Sequence, residues 1–189
     1  MRLALLCSSL LIAASAHAQD IDALTKDTRE KALPVLPKVV KMMQDTVAAE
    51  GVAGAIPICK DKAPALLKQR AEELGWQMRR VSLKTRNPER GTPDAWERKH
   101  LEAFDQRAAA GEGAAALEVG EVVTRADGTQ AFRYMRAIPV GEVCLGCHGD
   151  ADKIGAELKA ELAKSYPQDR ATGYRQGQIR GAMTVERPL

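Results

Sequence analysis

The sequence predicts an α+β domain, and three observations predict it. Apolar residues in the first third recur at helical spacings, later stretches form short runs rich in β-branched and aromatic residues, and Asp127-Gly128 separates two of those runs as a hairpin turn. Helices that come first, followed by scattered antiparallel strands, indicate α+β architecture rather than the regular alternation of an α/β fold.

The elements follow in order. Residues 1–18 read as a secretory signal: Arg2 supplies the positive start, residues 3–14 the apolar core, and Ala16-His17-Ala18 a small-residue cleavage site. A periplasmic product starting at Gln19, without stable membrane insertion, is the expectation, because no stretch approaches the roughly 18 apolar residues of a spanning helix. From residue 20 to about residue 50, Leu33, Leu36, Val40, Met43 and Val47 form a helical stripe that Pro34 and Pro37 must kink or divide. A second helical region runs over residues 52–74, interrupted near Pro57 and Pro64, with Cys59 in its middle. Residues 76–84 read as the first strand. A basic irregular stretch then leads to a helix over residues 93–107, capped by Thr92 with Pro93 at its first position. Residues 108–116 form a small-residue loop, whose Gly111-x-Gly113 lacks the preceding strand of a nucleotide-binding turn. Strands are expected over 117–124 and 129–138, a helix over 152–164 bearing Ile154, Leu158 and Leu162, and a last strand over 179–186.

Composition narrows the function. The chain of 189 residues has 28 Lys and Arg against 25 Asp and Glu. That balance argues against nucleic acid or an anionic membrane as partner. Of the four cysteines, Cys7 belongs to the signal, which leaves Cys59, Cys144 and Cys147. An odd thiol in an exported chain asks for an explanation, since the compartment is oxidising.

Cys144-Leu145-Gly146-Cys147-His148 spells C-x-x-C-H, the attachment site of c-type haem. Two thiols at this spacing each add across one vinyl group of a single porphyrin, and the adjacent imidazole stands under the iron. One covalent haem c is therefore expected, with His148 as metal ligand and the haem maturation machinery as a partner. For the opposite axial position the residues offer the unpaired Cys59, then His100, which shares a helix face with Trp96 and Phe104, and then Met42, Met43, Met78, Met135 and Met183. Arginines between residues 79 and 90 are suited to bind propionates; the alternative is a solvated strand edge. Zinc on Cys59, Cys144, Cys147 and His148 is a competing reading, though adjacent Cys147 and His148 would strain to reach two corners of one tetrahedron. A thioredoxin-type site lacks its strand-to-helix context, and neither a hydrolase triad nor a phosphate loop is present, so the chain reads as a non-enzyme.

The chain also resembles a family. The carrying residues are Ala55-Ile56-Pro57-Ile58-Cys59 with Ala63-Pro64, Ser82-Leu83-Lys84-Thr85-Arg86-Asn87-Pro88, Pro93-Asp94-Ala95-Trp96-Glu97 with Leu101 and Phe104, the C-x-x-C-H motif with Gly149, Tyr166-Pro167, Asp169, Gly173-Tyr174, and Gly177 with Ile179-Arg180-Gly181. In this order they resemble the bacterial and cyanobacterial periplasmic c-type haem sensor domains with a PAS-like fold, formerly a domain of unknown function. The resemblance implies a PAS-like antiparallel sheet with N-terminal helices, haem bound through Cys144 and Cys147, His148 as proximal ligand and Cys59 as distal ligand, with Arg86 singled out from the basic stretch as a cofactor-binding residue. Where the family often shows a second Asn after the Arg-Asn-Pro run, this chain has Glu89-Arg90-Gly91. The implied function is a soluble periplasmic sensor of redox state or of a diatomic gas, read out by an unknown signalling or redox partner. The alternative is a monohaem cytochrome electron carrier.

Overall fold

A computed structural model describes residues 20–189; the stretch expected to be a secretory signal lies outside the described residues. The N-terminal helical region divides where the prolines direct. Helix α1 covers Ile21–Ala32, capped by Asp20, whose side chain accepts the Ala23 N–H at 3.0 Å. Helix α2 covers Val35–Gly54. Pro34 stands at its N-cap and Pro37 in its first turn, where a missing N–H removes no hydrogen bond, so the second proline is absorbed rather than disruptive. A true break falls instead at Gly51, with φ 75° and ψ 178°, backbone angles open essentially to glycine alone.

A π-helical turn, Ile58–Lys62, carries Cys59 and feeds into α3, Ala63–Leu74, with Pro64 in its first turn. Strand β1 is Gln77–Val81. A short α4, Pro88–Gly91, follows, and then α5, Ala95–Ala109. The expected Thr92 cap of α5 is replaced by Asp94. Its carboxylate accepts the Glu97 N–H at 2.8 Å while the Glu97 carboxylate accepts the Asp94 N–H at 2.9 Å, two reciprocal bonds that Thr92 and Pro93 could not make.

Strands β2, Glu118–Thr124, and β3, Gln130–Pro139, form the hairpin, closed by the Arg125 N–H on the Thr129 carbonyl at 2.8 Å. The haem-type motif begins at the end of a 3-10 turn, Glu142–Cys144, and continues as one helical turn, α6, Leu145–His148. The helix expected over 152–164 is α7, Ala156–Ser165, starting after Gly155, with a separate 3-10 turn at Ala151–Lys153 before it. Strand β4 is Ile179–Pro188.

The four strands make one antiparallel sheet in the order β1-β4-β3-β2. Its faces bury different partners, as the two-residue period of a strand requires. On one face Val81, Met135, Ala137 and Ala182 pack with Leu101 and Phe104 of α5. On the other, Phe132, Tyr134, Met183 and Val185 pack with Ala32, Val35 and Leu67 of the N-terminal helices. The fold is α+β. Two smaller clusters sit at the end of the sheet where β3 leaves and β4 begins: Ile56 with Leu162 and Tyr166, and Val140 with Ala171 and Tyr174. Those clusters frame the motif.

Candidate functional site

Two segments distant in sequence, and the chain just before the motif, hold α6. The loop before β4 runs alongside it, with the Tyr174 N–H on the His148 carbonyl at 2.9 Å and the Gly173 N–H on the Gly149 carbonyl at 2.7 Å. Val52, just beyond the Gly51 break in α2, covers Gly146; a Cβ on Gly146 would meet a Val52 methyl at 3.2 Å. Cys144 and Leu145 pack on Val140, Ala171 and Tyr174.

The His148 ring is fixed on its back side. Nδ1 lies 2.6 Å from the Ala171 carbonyl, an oxygen that only accepts, so Nδ1 bears the proton and donates. The lone pair therefore resides on Nε2. Burial first, with the positive charges of Arg180 and Arg86 behind it, pushes this imidazole down to about 2. It stays neutral, as a metal-binding imidazole must. Tyr174 stands edge-on to the ring with centroids 6.4 Å apart.

Cys144 and Cys147 are free thiols, each half-buried. Burial raises the Cys147 thiol; Arg86 opposes the rise, while Cys59 and Asp169 add to it. Cys59 likewise acts on Tyr166, whose hydroxyl is pushed up to about 12 chiefly by burial. The π-helical turn thus brings Cys59 within electrostatic reach of both Cys147 and Tyr166. The Cys59 side chain itself is exposed, and such turns within helices are frequent at functional positions.

Arg86 is buried, and it ties the motif together. Its Nη2 donates to the Cys147 carbonyl at 2.6 Å and its Nε to Asp169 Oδ2 at 2.9 Å. Asp169 Oδ1 in turn accepts the Ala171 N–H at 2.8 Å. One ion pair therefore positions the carbonyl of the second cysteine and, through Ala171, the residue that orients His148.

The remaining candidates are placed elsewhere. His100 is buried on α5, 3.3 Å from Glu121 of β2 and against the Trp96 ring at 4.4 Å between centroids. Met135 and Met183 are fully buried in the two main clusters on opposite faces of the sheet, and Met78 packs beside Met183. Neither cluster around α6 contains a methionine. Among the described residues no group of three or more His, Cys, Asp and Glu side chains is arranged to hold a bare metal ion, so the four-residue zinc set is not assembled. A cleft of about 530 Å³ opens between Thr85, Pro93, Arg98, Asp169 and Arg170, on the outer side of the Arg86–Asp169 pair; the motif residues do not line it.

Asp169, Ala171, Tyr174 and Arg180 were assigned no role by residue type or spacing. The family resemblance pointed at that stretch, because Asp169, Gly173-Tyr174 and Ile179-Arg180-Gly181 are among its pieces. Ala171 acts through a backbone carbonyl, which leaves no mark in sequence.

These features define a class: an α+β domain whose four-stranded antiparallel sheet presents, at one end, a C-x-x-C-H turn clamped by a buried arginine and a backbone carbonyl. The chain matches the family described as Tll0287-like over residues 7–188, and it belongs to that family. It is similar in structure to the cyanobacterial heme-protein Tll0287, with a TM-score of 0.63 and 24% identity, covering 90% of this chain and 97% of that one. A likeness at that identity shows the fold. No curated protein matches the chain.

Among the described residues no helix is long and apolar enough to cross a membrane.

Proposed function

We propose that this chain is a periplasmic c-type haem protein with a PAS-like fold, exported after cleavage at Ala18, and that it serves as a sensor of redox state or of a diatomic gas rather than as an enzyme. The observation that carries the reading is the Nδ1 bond of His148 to the Ala171 carbonyl, which commits one ring nitrogen and leaves Nε2 free as a ligand. The structurally similar cyanobacterial protein is described as a heme-protein, which supports the same assignment.

The residues present fit the group. Cys144 and Cys147 are not paired with each other and are half-buried, open to thioether formation, and burial keeps the imidazole neutral. When bound, haem supplies one-electron chemistry and an iron centre for axial ligands. Cys144 and Cys147 would hold it covalently, His148 would bind its iron through Nε2, and Arg86 keeps the second cysteine and His148 in register through Asp169. Cys59 would supply the second iron-binding side chain.

Cys59 also favours the sensor over the electron carrier. It lies exposed on an irregular turn, outside the packed clusters, so its side chain can move without disrupting a core contact. A carrier, in contrast, keeps both ligands in both oxidation states. Movement of the π-helical turn is the signal that a partner protein reads. Absorption spectra of the exported protein in the ferric form, the ferrous form, and the ferrous form under carbon monoxide test the reading. A thiolate-type ferric spectrum that changes on reduction and then accepts carbon monoxide is expected; a six-coordinate spectrum closed to carbon monoxide in the ferrous form assigns the chain to electron transfer instead.

A further inference from the structure

Two guanidinium groups are buried around His148, and they differ in one respect. Arg86 has a carboxylate partner, Asp169, at 2.9 Å. Arg180 has none. Its side chain is 2% exposed, and three of its contacts are neutral: Nη1 donates to Ser82 Oγ at 2.9 Å and to the Lys84 carbonyl at 3.3 Å, and the group lies over the Tyr174 ring at 5.5 Å. Its Nε lies 3.3 and 3.4 Å from the two His148 ring nitrogens. Near-equal distances to both place it against the ring face, along neither lone pair. The remaining nitrogen, Nη2, is buried with no hydrogen-bond partner among the described residues. Burial is the main cost of the charge at this position; the like charges of Arg80 and Arg86 add to it, and Tyr174 and Asp169 offset it in part.

A guanidinium does not shed its charge in ordinary solution conditions, so a lone buried one is strongly unfavourable until an anion completes it. Here the guanidinium is held in place by Ser82 and the Lys84 carbonyl, one donor is left open, and the imidazole it touches is the proximal ligand of the proposed haem. We infer that Arg180 is a cofactor-binding residue whose open Nη2 takes a propionate carboxylate of the haem.

The inference rests on the haem reading above. It assigns the two arginines separate tasks: Arg86, neutralised by Asp169, fixes the polypeptide of the motif, and Arg180 receives the carboxylate of the cofactor. A retained positive charge beside the axial imidazole also disfavours the more positive ferric state, which keeps the midpoint potential higher than it would be without it.

The test compares the exported wild type with Arg180→Gln and Arg180→Lys, each assayed first for covalent haem by its pyridine haemochrome. Two readouts follow: the propionate bending modes in the resonance Raman spectrum, and the midpoint potential. Arg180→Gln is expected to shift the propionate modes and lower the potential. Arg180→Lys is expected to shift the modes, since a single ammonium replaces the planar fork, while its potential stays nearer the wild type. Fully loaded Arg180→Gln protein with wild-type modes and potential overturns the inference. Should the Gln variant fail to fold, the Lys variant decides alone, and unchanged propionate modes in it overturn the inference. A wild type carrying no covalent haem overturns the functional reading instead, and the haemochrome assay registers that failure separately.

Discussion

Cys59 is the residue on which the sensor reading turns. Thiolate donation favours ferric iron. Replacing Cys59 with serine should leave covalent haem content unchanged, remove the thiolate character of the ferric spectrum and raise the midpoint potential; a ferric spectrum and potential identical to wild type would remove Cys59 from the axial position. The residues of the motif were legible because their chemistry is written in five consecutive positions. Cys59 was legible only as a leftover thiol, and what placed it near Cys147 is a turn of chain that no local pattern announces. Asp169 and Arg180 were not legible as partners, since the first acts across 83 positions on Arg86 and the second across 32 on His148. A charged residue in a late loop or at a strand start looks like any solvated one until the fold buries it. His100 shows the converse: its helix face and aromatic neighbours were read correctly from spacing, yet those same neighbours hold it against Trp96 and Glu121, away from α6.

At the scale of elements, the Gly51 break in α2 directs Val52 onto Gly146 of the motif. Nothing lies within 4 Å of where a Cβ at residue 51 would stand, so the cost of a side chain there is that of the backbone alone. Gly51→Ala should destabilise the fold by about 1–3 kcal/mol, measured by urea unfolding, and a loss near zero would mean that the break is not needed. Glu118 of β2 is the second structural junction. It accepts Arg29 of α1, the Tyr134 hydroxyl at 2.7 Å and Arg136 at 3.0 Å, tying the first helix to the hairpin. Burial alone would raise this carboxyl, but the Arg29 and Tyr134 hydrogen bonds outweigh it and the net direction is down from 4.5. A carboxylate held low in the folded state contributes stability that is present above its unfolded value and is lost as pH falls through the folded one. Glu118→Gln should therefore weaken the protein at neutral pH and flatten its loss of stability below about pH 4.5; parallel wild-type and variant curves across the acid range would count against the junction. The hairpin and the N-terminal helices were legible because turn chemistry and periodicity are local, but the stripe itself was read too long: only Leu33 and Leu36 pack against a cluster, and Val40 is exposed. The start of α5 was missed because a reciprocal cap at Asp94 and Glu97 competes with, and satisfies more N–H groups than, the Thr92-Pro93 alternative.

Across the whole molecule, the proposed site draws on Cys59 after α2, Arg86 after β1, the motif after β3, Asp169 and Ala171 after α7, and Arg180 at the start of β4. Apart from the neighbours Asp169 and Ala171, these segments are separated in sequence from their partners, so the site exists only in the folded chain. The α+β class was legible because helices come first and short antiparallel strands follow scattered among later helices; the order β1-β4-β3-β2 was not, because strand neighbours are set by packing on both faces. A group that binds only the folded state stabilises it. The haem-loaded protein should therefore melt at a higher temperature than the Cys144→Ala, Cys147→Ala double variant lacking the covalent links, and equal melting temperatures would show that the cofactor does not join these segments.

The central claim is that Cys144 and Cys147 carry a haem covalently. Export of the chain in a host with a haem maturation system, followed by acid-acetone extraction and intact mass measurement, tests it most directly. One haem per chain is expected to stay with the polypeptide through extraction and to be lost in the double cysteine variant. A colourless chain at the mass of the bare polypeptide, under conditions where a control c-type cytochrome matures, would contradict it.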